Sequence, residues 1–165
     1  IVLLGAELAF ACQHATTYGR EQGARHAGLR ARGQLALAVA AEMARVMQTG
    51  EGPFAANRFA QRYTLSVRLL NDVIDDLLQA GLIAETADRP GHYVLLRDPS
   101  RLTAAVVVRA VLDRGHPPEA LGLDHLDPRI RDYARQAEQT WADALEMPVA
   151  RLVGPPAGQD GVRAT

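Results

Sequence analysis

Three carboxylates on one predicted helix are the residues whose spacing could support metal chemistry. Asp75 and Asp76 follow Asp72 by three and four residues, which places all three on one helix face. Magnesium and calcium sites, however, usually combine ligands from several segments or from substrate phosphates, and the chain has no glycine-rich phosphate loop. Because a charged helix face is more often simply solvated, we predict no metal site and no cofactor.

Histidine, cysteine and serine residues offer no other catalytic centre. The histidines have no pair at helical ligand spacing, so the dense clusters of metal-dependent nucleases are missing. They are His14, His26, His92, His116 and His125. The single cysteine, Cys12, excludes an internal disulfide. Ser66 and Ser100 have capping or turn roles and lie in no nucleophile elbow. The residues therefore predict a protein without catalytic activity.

Three predicted helices position the carboxylates. An apolar stripe at helical spacing covers residues 35–47, and a shorter helical segment covers residues 54–63. The third helix begins after Ser66, whose side chain is a suitable N-cap, and it ends at Gly81. The three aspartates therefore lie on the third helix.

The apolar period changes after the third helix. Residues 82–84 and 92–96 are predicted to form two short strands on either side of a turn with Pro and Gly. Three helices followed by a hairpin is the order of a winged helix-turn-helix domain, which we place at residues 34–113. A helix at residues 102–112 packs on the wing, with strand as the alternative because of its valine run. The predicted fold class is mainly α with a small β wing.

The segments after this domain are assigned from composition and periodicity. They are a linker at residues 114–126, an amphipathic helix at 127–153 and a disordered tail at 154–165. The apolar side of the helix carries Tyr133, Trp141 and Leu145. It packs either on its own domain, the ordinary outcome for an amphipathic helix, or on a second copy of the chain, which would make a homo-oligomer.

Charge on the third helix bears on whether the domain binds DNA. Its predicted outward residues are one cation, three carboxylates and one amide: Arg68, Asp72, Asp75, Asp76 and Gln79. Such a face repels phosphates, and the net charge of -1 provides no overall attraction. We therefore expect nucleic acid not to be a partner. If the chain does bind DNA, the predicted contacts are Arg58, Arg62, Ser66, Arg68, Arg89 and Arg97.

An apolar run opens the chain and is followed by arginines. Residues 1–12 are shorter than the roughly 20 residues that a membrane span takes. We interpret residues 1–17 as the cytoplasmic end of a membrane helix and residues 18–33 as a basic juxtamembrane segment. Positive charge beside a membrane segment marks the cytoplasmic side. An ordinary core helix is the alternative.

Two phrases of the sequence resemble one membrane protein family. They are IVLLGAELAFACQH at the N-terminus and GLIAETADRPGHYVLLRDPSRLTAAVVVRAV, which contains most of the predicted wing. On these phrases, residues 1–113 are similar to the C-terminal part of the YihY/BrkB family of bacterial inner-membrane proteins. The resemblance implies a six-helix membrane protein with a cytoplasmic C-terminal extension. Many such proteins are named ribonuclease BN, a tRNA-processing enzyme.

Two functions from different classes follow. The favoured one is a non-catalytic cytoplasmic interaction domain of a transporter-like YihY/BrkB protein in the bacterial inner membrane. Its partners would be the membrane portion of the same protein, a second copy and, through the N-terminal segment, the lipid bilayer. The alternative is a winged-helix DNA-binding transcription regulator in which residues 1–17 form a core helix. The tRNA-processing ribonuclease, implied only by the family name, receives no support from the residues.

Overall fold

The chain is mainly helical with one small antiparallel sheet in this computed structural model, which describes residues 27–115 and 117–153. The α-helices of that part are α1 (Leu29–Thr49), α2 (Ala56–Tyr63), α3 (Val67–Gln79), α4 (Ala104–Leu112) and α5 (Pro128–Ala144). The strands are β1 (Phe54–Ala55), β2 (Ile83–Glu85) and β3 (His92–Leu95). Short 3-10 turns cover Pro118–Leu121, Leu123–His125 and Val149–Leu152. The helical class with a β wing is confirmed.

The sheet has the strand order β1-β3-β2, with both pairings antiparallel. The predicted hairpin is present, because β2 and β3 pair Ile83 with Leu95 and Glu85 with Tyr93. Phe54 was predicted to begin a helix over residues 54–63, and that start was wrong. It belongs to β1, which pairs with β3, and α2 begins only after it.

Helix α1 lies at the centre of the core and packs against α3 and α4. Gly33 makes the crossing with α4 close, because a Cβ at this position would lie 3.2 Å from Cγ1 of Val108. The fully buried side chains include Val39, Met43, Leu70, Ile74, Leu77, Leu102, Val107 and Val111. The predicted segment at residues 102–112 is a helix, and the Thr103 hydroxyl caps it by accepting from the Val106 N–H.

Helix α1 begins at Leu29, earlier than the predicted start at residue 35. The boundary drawn between residues 33 and 34 therefore falls inside this helix. Within the described part of the chain, no helix combines the length and apolar character that a membrane crossing requires. The predicted membrane-helix end at residues 1–17 and the predicted disordered tail at residues 154–165 lie outside the described residues.

Helix α5 ends at Ala144, and the chain then returns to the domain instead of continuing as a helix to residue 153. The return is held by backbone hydrogen bonds, including one of 2.8 Å from the Val149 N–H to the Leu102 carbonyl. Val149 is completely buried, whereas α5 buries none of its residues. The segment after α5 therefore completes the core, and α5 itself is left exposed.

Candidate nucleic-acid interface

Helices α2 and α3 form a helix-turn-helix with a tight connection. Thr64 ends α2 in the left-handed backbone region, with a φ of 51°. The Leu65 N–H donates to the Ala60 carbonyl at 2.9 Å. Ser66 then caps α3, its hydroxyl accepting from the Leu69 N–H at 3.4 Å. The predicted N-cap is confirmed, and the capped end of α3 faces solvent.

The exposed side of α3 carries apolar and polar groups in its first two turns. Val67 is 52% exposed, and Arg68 and Asn71 are exposed beside it. Asp75 is exposed further along the helix. In helix-turn-helix proteins the N-terminal residues of the second helix contact base edges in the major groove. The first two turns of α3 therefore expose one cation, and their carboxylate, Asp72, is half-buried.

Asp76 does not lie on the outward face, contrary to the sequence prediction. It is only 4% exposed, and each oxygen of its carboxylate has a cationic neighbour. Nη2 of Arg32 is 2.6 Å from Oδ2, and Nη1 of Arg114 is 3.4 Å from Oδ1. Asp72 is 3.9 Å from Nη1 of the same Arg32. Two of the three aspartates are thus paired with arginines, and the prediction that all three lie on the outward face of α3 is wrong.

The wing turn between β2 and β3 is closed by side-chain hydrogen bonds. A carboxylate oxygen of Glu85 accepts from the Gly91 N–H at 2.6 Å. The Thr86 hydroxyl lies 3.2 Å from the Arg89 carbonyl and 3.3 Å from the His92 carbonyl. The side chain of Arg89 is exposed at the tip, 3.7 Å from Asp88. The wing therefore presents a cation on a turn of fixed shape.

Strand β1 attaches the wing to the start of α2. The Ala56 N–H donates to the Gly91 carbonyl at 3.1 Å, directly after the β1-β3 pairing. Arg58 is exposed on the first turn of α2 and so lies close in the chain to this junction. The sequence did not reveal the link, because a strand of two residues has no periodicity to detect.

The residues predicted as DNA contacts do not all lie together. Ser66 and Arg68 are at the start of α3, whereas Arg97 follows the base of the hairpin, the end opposite to Arg89. Arg62 is exposed, but its guanidinium lies 3.8 Å from Glu42 and 5.5 Å from the centre of the Tyr63 ring. The exposed start of α3 also carries Asn71 and Val67, which the predicted set did not include and which helical position alone could have added.

Tyr93 of β3 is held in its neutral form next to acidic groups. Burial raises the pKa of its hydroxyl, and the carboxylates of Glu85 and Asp75 raise it further. The hydroxyl remains protonated at neutral pH and is available as a hydrogen-bond donor.

Metal binding finds no support in the part of the chain that the structure describes. Among residues 27–115 and 117–153, no three His, Cys, Asp or Glu side chains are grouped so as to hold an ion. The aspartates of α3 diverge: Asp76 is buried, Asp72 is half-buried and Asp75 is exposed.

Helix α5 presents an apolar surface that is exposed among the described residues. Tyr133 is 75% exposed, and Ile130, one turn before it, is 57% exposed. Trp141 and Leu145, which were predicted to share this face, are half-buried near the point where the chain returns to the domain. The packing of the whole face on its own domain, the ordinary outcome for such a helix, does not occur.

Comparisons with known proteins point to one family of transcriptional regulators. The family model Rrf2, described as an iron-dependent transcriptional regulator, matches residues 29–153. The HTH-type transcriptional regulator CymR of Bacillus subtilis is 30% identical over 110 residues, which cover 64% of this chain and 78% of that protein. The crystal structure of oxidized Staphylococcus aureus CymR is 19% identical, with a TM-score of 0.56 over 78% of this chain and 98% of that one. T. potens IscR is 21% identical, with a TM-score of 0.54 over 73% of this chain and 82% of that one.

Proposed function

The chain belongs to the Rrf2 family of transcriptional regulators, and from this premise we propose that it binds duplex DNA with α3 in the major groove. The observation that carries the proposal is the exposed, capped start of α3, where Arg68 and Asn71 face solvent and the neighbouring carboxylate, Asp72, is half-buried beside Arg32. The helix N-terminus adds a positive partial charge, which favours nearby phosphates.

Family membership corrects the favoured reading of the sequence. The resemblance to YihY/BrkB proteins is wrong, and with it the accessory role in a transporter-like protein, the inner-membrane location, and the membrane portion and bilayer as partners. The reading of nucleic acid as an unfavoured partner is wrong as well. The wing segment that carried much of the resemblance, residues 81–111, forms β2, β3 and most of α4 of the winged-helix domain. The other phrase, residues 1–14, lies outside the matched segment.

The chemistry of the α3 face suits direct base reading. Arginine pairs in bidentate fashion with guanine, and asparagine does so with adenine, so Arg68 and Asn71 have natural targets. Val67 beside them supplies an apolar surface of the kind that contacts the thymine methyl group. We therefore expect a half-site that contains both a G·C and an A·T pair at neighbouring positions.

Phosphate contacts come from the elements on either side of α3. The first helix of a helix-turn-helix crosses the DNA backbone, which places Arg58 of α2 near phosphates. Arg89 at the wing tip is exposed and would reach the adjacent backbone or groove. Cations of this kind fix the register of the protein on the duplex and give little sequence information.

Two copies joined through α5 would form the functional unit. The side chains of Ile130 and Tyr133 are largely exposed in the described part of the chain, and a second α5 supplies the same apolar surface by symmetry. Two reading helices related by a two-fold axis require a palindromic site with half-sites about one helical turn, roughly 34–36 Å, apart.

Selection of bound duplexes from a random pool, followed by fluorescence anisotropy across a salt series, tests this function. We expect a palindromic consensus and an affinity that falls steeply with salt. Arg68→Ala should lose about 1–3 kcal/mol on the consensus site and relax specificity at one base pair. Arg109→Ala, an exposed arginine on α4, is the matched control. Recovery of no consensus, with equal binding to all duplexes, would refute the proposal.

Iron is named in the description of the family model, but the matched segment does not carry the ligands of an iron–sulfur cluster. Such clusters are held by cysteine thiolates, of which Rieske centres replace two with histidine. The chain has one cysteine, Cys12, and it lies outside the matched residues 29–153. The donor set does not fit, and no step of the proposed function depends on iron.

A further inference from the structure

One buried carboxylate connects three parts of the fold. Oδ2 of Asp76 on α3 contacts Arg32 of α1, and Oδ1 contacts Arg114, which follows the end of α4. The side chain of Asp76 is 2% exposed and that of Arg32 is 13% exposed, so both are largely removed from water. The Arg114 side chain, at 49%, remains accessible.

The position of Asp76 on α3 places it behind the proposed reading face. At about 100° per residue, Asp76 is rotated roughly 140° from Asn71 around the helix axis. A charge buried on that side holds the helix at a fixed rotation, because any other rotation would separate the carboxylate from its cations at high cost. The contact therefore adds a directional constraint to the packing of Leu70, Ile74 and Leu77, which determines the outward side of α3.

Arg114 lies where the chain leaves the domain for α5. It follows Leu112, the last residue of α4, and precedes the 3-10 turns that lead to the exposed helix. If α5 joins two copies, this connection is one of two attachments of α5 to the domain, the other being the return after α5 that is bonded to Leu102. The Arg114–Asp76 pair is a side-chain contact that joins the first attachment directly to α3.

We propose that Asp76, through Arg114, is a positioning residue that fixes the orientation of α3 relative to α5. It thereby sets the half-site spacing that the dimer reads. This inference rests on the proposed DNA binding and dimerisation. We define spacing discrimination as the ratio of the affinities for palindromes of correct and altered spacing. The inference predicts that the loss of Arg114 lowers this ratio and leaves the affinity for a single half-site unchanged. A residue that merely stabilised the fold would change both together.

The test compares Arg114→Ala with Arg109→Ala on the full chain. Duplexes carry the selected palindrome, versions lengthened or shortened by one base pair, and a single half-site. We expect Arg114→Ala to reduce spacing discrimination by roughly fivefold or more, a typical strength of coupling between sites. Its affinity for the single half-site should remain that of the unsubstituted protein, and Arg109→Ala should behave normally on every duplex. An equal loss on all duplexes would overturn the proposal.

A second measurement works without DNA and separates failure of the inference from failure of the proposed function. Pulsed electron paramagnetic resonance measures the α3–α5 distance between two nitroxide labels. The labels are attached at Gln79→Cys on α3 and Glu138→Cys on α5, in a Cys12→Ser background. Adding Arg114→Ala should broaden the distance distribution, whereas adding Arg109→Ala should not. If the unsubstituted chain binds no duplex, the proposed function fails while this readout still judges the positioning role. An unbroadened distribution for Arg114→Ala would overturn that role.

Discussion

Nη2 of Arg32 lies 2.6 Å from Oδ2 of Asp76 and joins α1 to α3 across 44 positions of the sequence. Removing one member of a buried ion pair leaves an uncompensated charge, which typically costs about 3–5 kcal/mol. Arg32→Leu leaves Asp76 with Arg114, 3.4 Å from Oδ1, so it should lower the free energy of unfolding by less than this, about 1.5–3 kcal/mol, the usual worth of a hydrogen bond to a charged group. Urea denaturation followed by circular dichroism measures the change.

Asp72 provides the matched control for this prediction. It lies on the same helix and near the same arginine, but at 3.9 Å and with a side chain that is one-third exposed. Asp72→Asn should cost less than about 1 kcal/mol, as is usual for a solvated pair. Equal losses for the two variants would contradict the assignment of Arg32–Asp76 as the buried contact.

Gly33 is a second position where packing sets a strict limit. A Cβ there would lie 3.2 Å from Cγ1 of Val108, so a larger side chain forces α1 and α4 apart. Gly33→Val should destabilise the fold by about 1–3 kcal/mol, the usual effect of overpacking. Adding Val108→Ala should restore part of the loss. Gly28→Ala, whose Cβ would meet no atom within 4 Å, replaces the N-cap of α1 and should cost about 0.5–1 kcal/mol through weaker capping, a loss that Val108→Ala should not restore.

The wing arginines should differ in their effect on DNA binding. Arg89 is at the tip and Arg97 is beyond the base of the hairpin. If Arg89 contacts a phosphate, Arg89→Ala should reduce the slope of log affinity against log salt by about 0.9. Arg97→Ala should give a smaller change if it lies away from the duplex. Anisotropy titrations at several salt concentrations distinguish the two, and a larger effect at Arg97 would require a different docking.

Self-association should depend on the exposed face of α5. Truncating an aromatic anchor at the centre of an interface commonly costs about 2 kcal/mol or more, or roughly 30-fold in affinity. Tyr133→Ala should therefore shift the monomer–dimer equilibrium toward monomer in sedimentation experiments. Gln139→Ala, on the opposite face and bonded to Asp143, should leave the equilibrium unchanged. A monomer at all concentrations for the unsubstituted chain would contradict the role of α5.

We expect the DNA affinity of this chain not to depend on an iron–sulfur cluster. The matched residues 29–153 contain no cysteine, and cluster assembly requires thiolate ligands. We expect chain purified under anaerobic conditions to show no iron–sulfur absorbance and its DNA affinity to be the same before and after chelation. A chromophore that is lost together with DNA binding on chelation would contradict this prediction.

Local signals in the sequence predicted the local structure well. The Ser66 cap, the strands on either side of the wing turn and the stop at Gly81 are properties of neighbouring residues. Gly81 has a φ of 64°, which a glycine adopts without strain. Elements that depend on partners distant in the sequence could not be predicted from local signals. Strand β1 exists only because β3 pairs with it.

The error about Asp76 has a similar origin and a larger consequence. Spacing places Asp72, Asp75 and Asp76 on one broad face, and that face straddles the boundary between buried and exposed sides. Which aspartate turns inward is decided by Arg32, far away in the sequence. Counting charges on the helix therefore overstated the negative charge of the surface proposed to meet DNA.

The two-residue strand β1 joins the helix-turn-helix to the wing and so limits the distance between α3 and the wing tip. Because the Ala56 N–H is bonded to the Gly91 carbonyl, the gap between reading helix and wing tip is set before any duplex arrives. A duplex that does not match the gap has to bend or narrow its groove, at an energy that depends on its own stiffness. Flexible base steps that no side chain touches would then help to decide which promoters this regulator occupies.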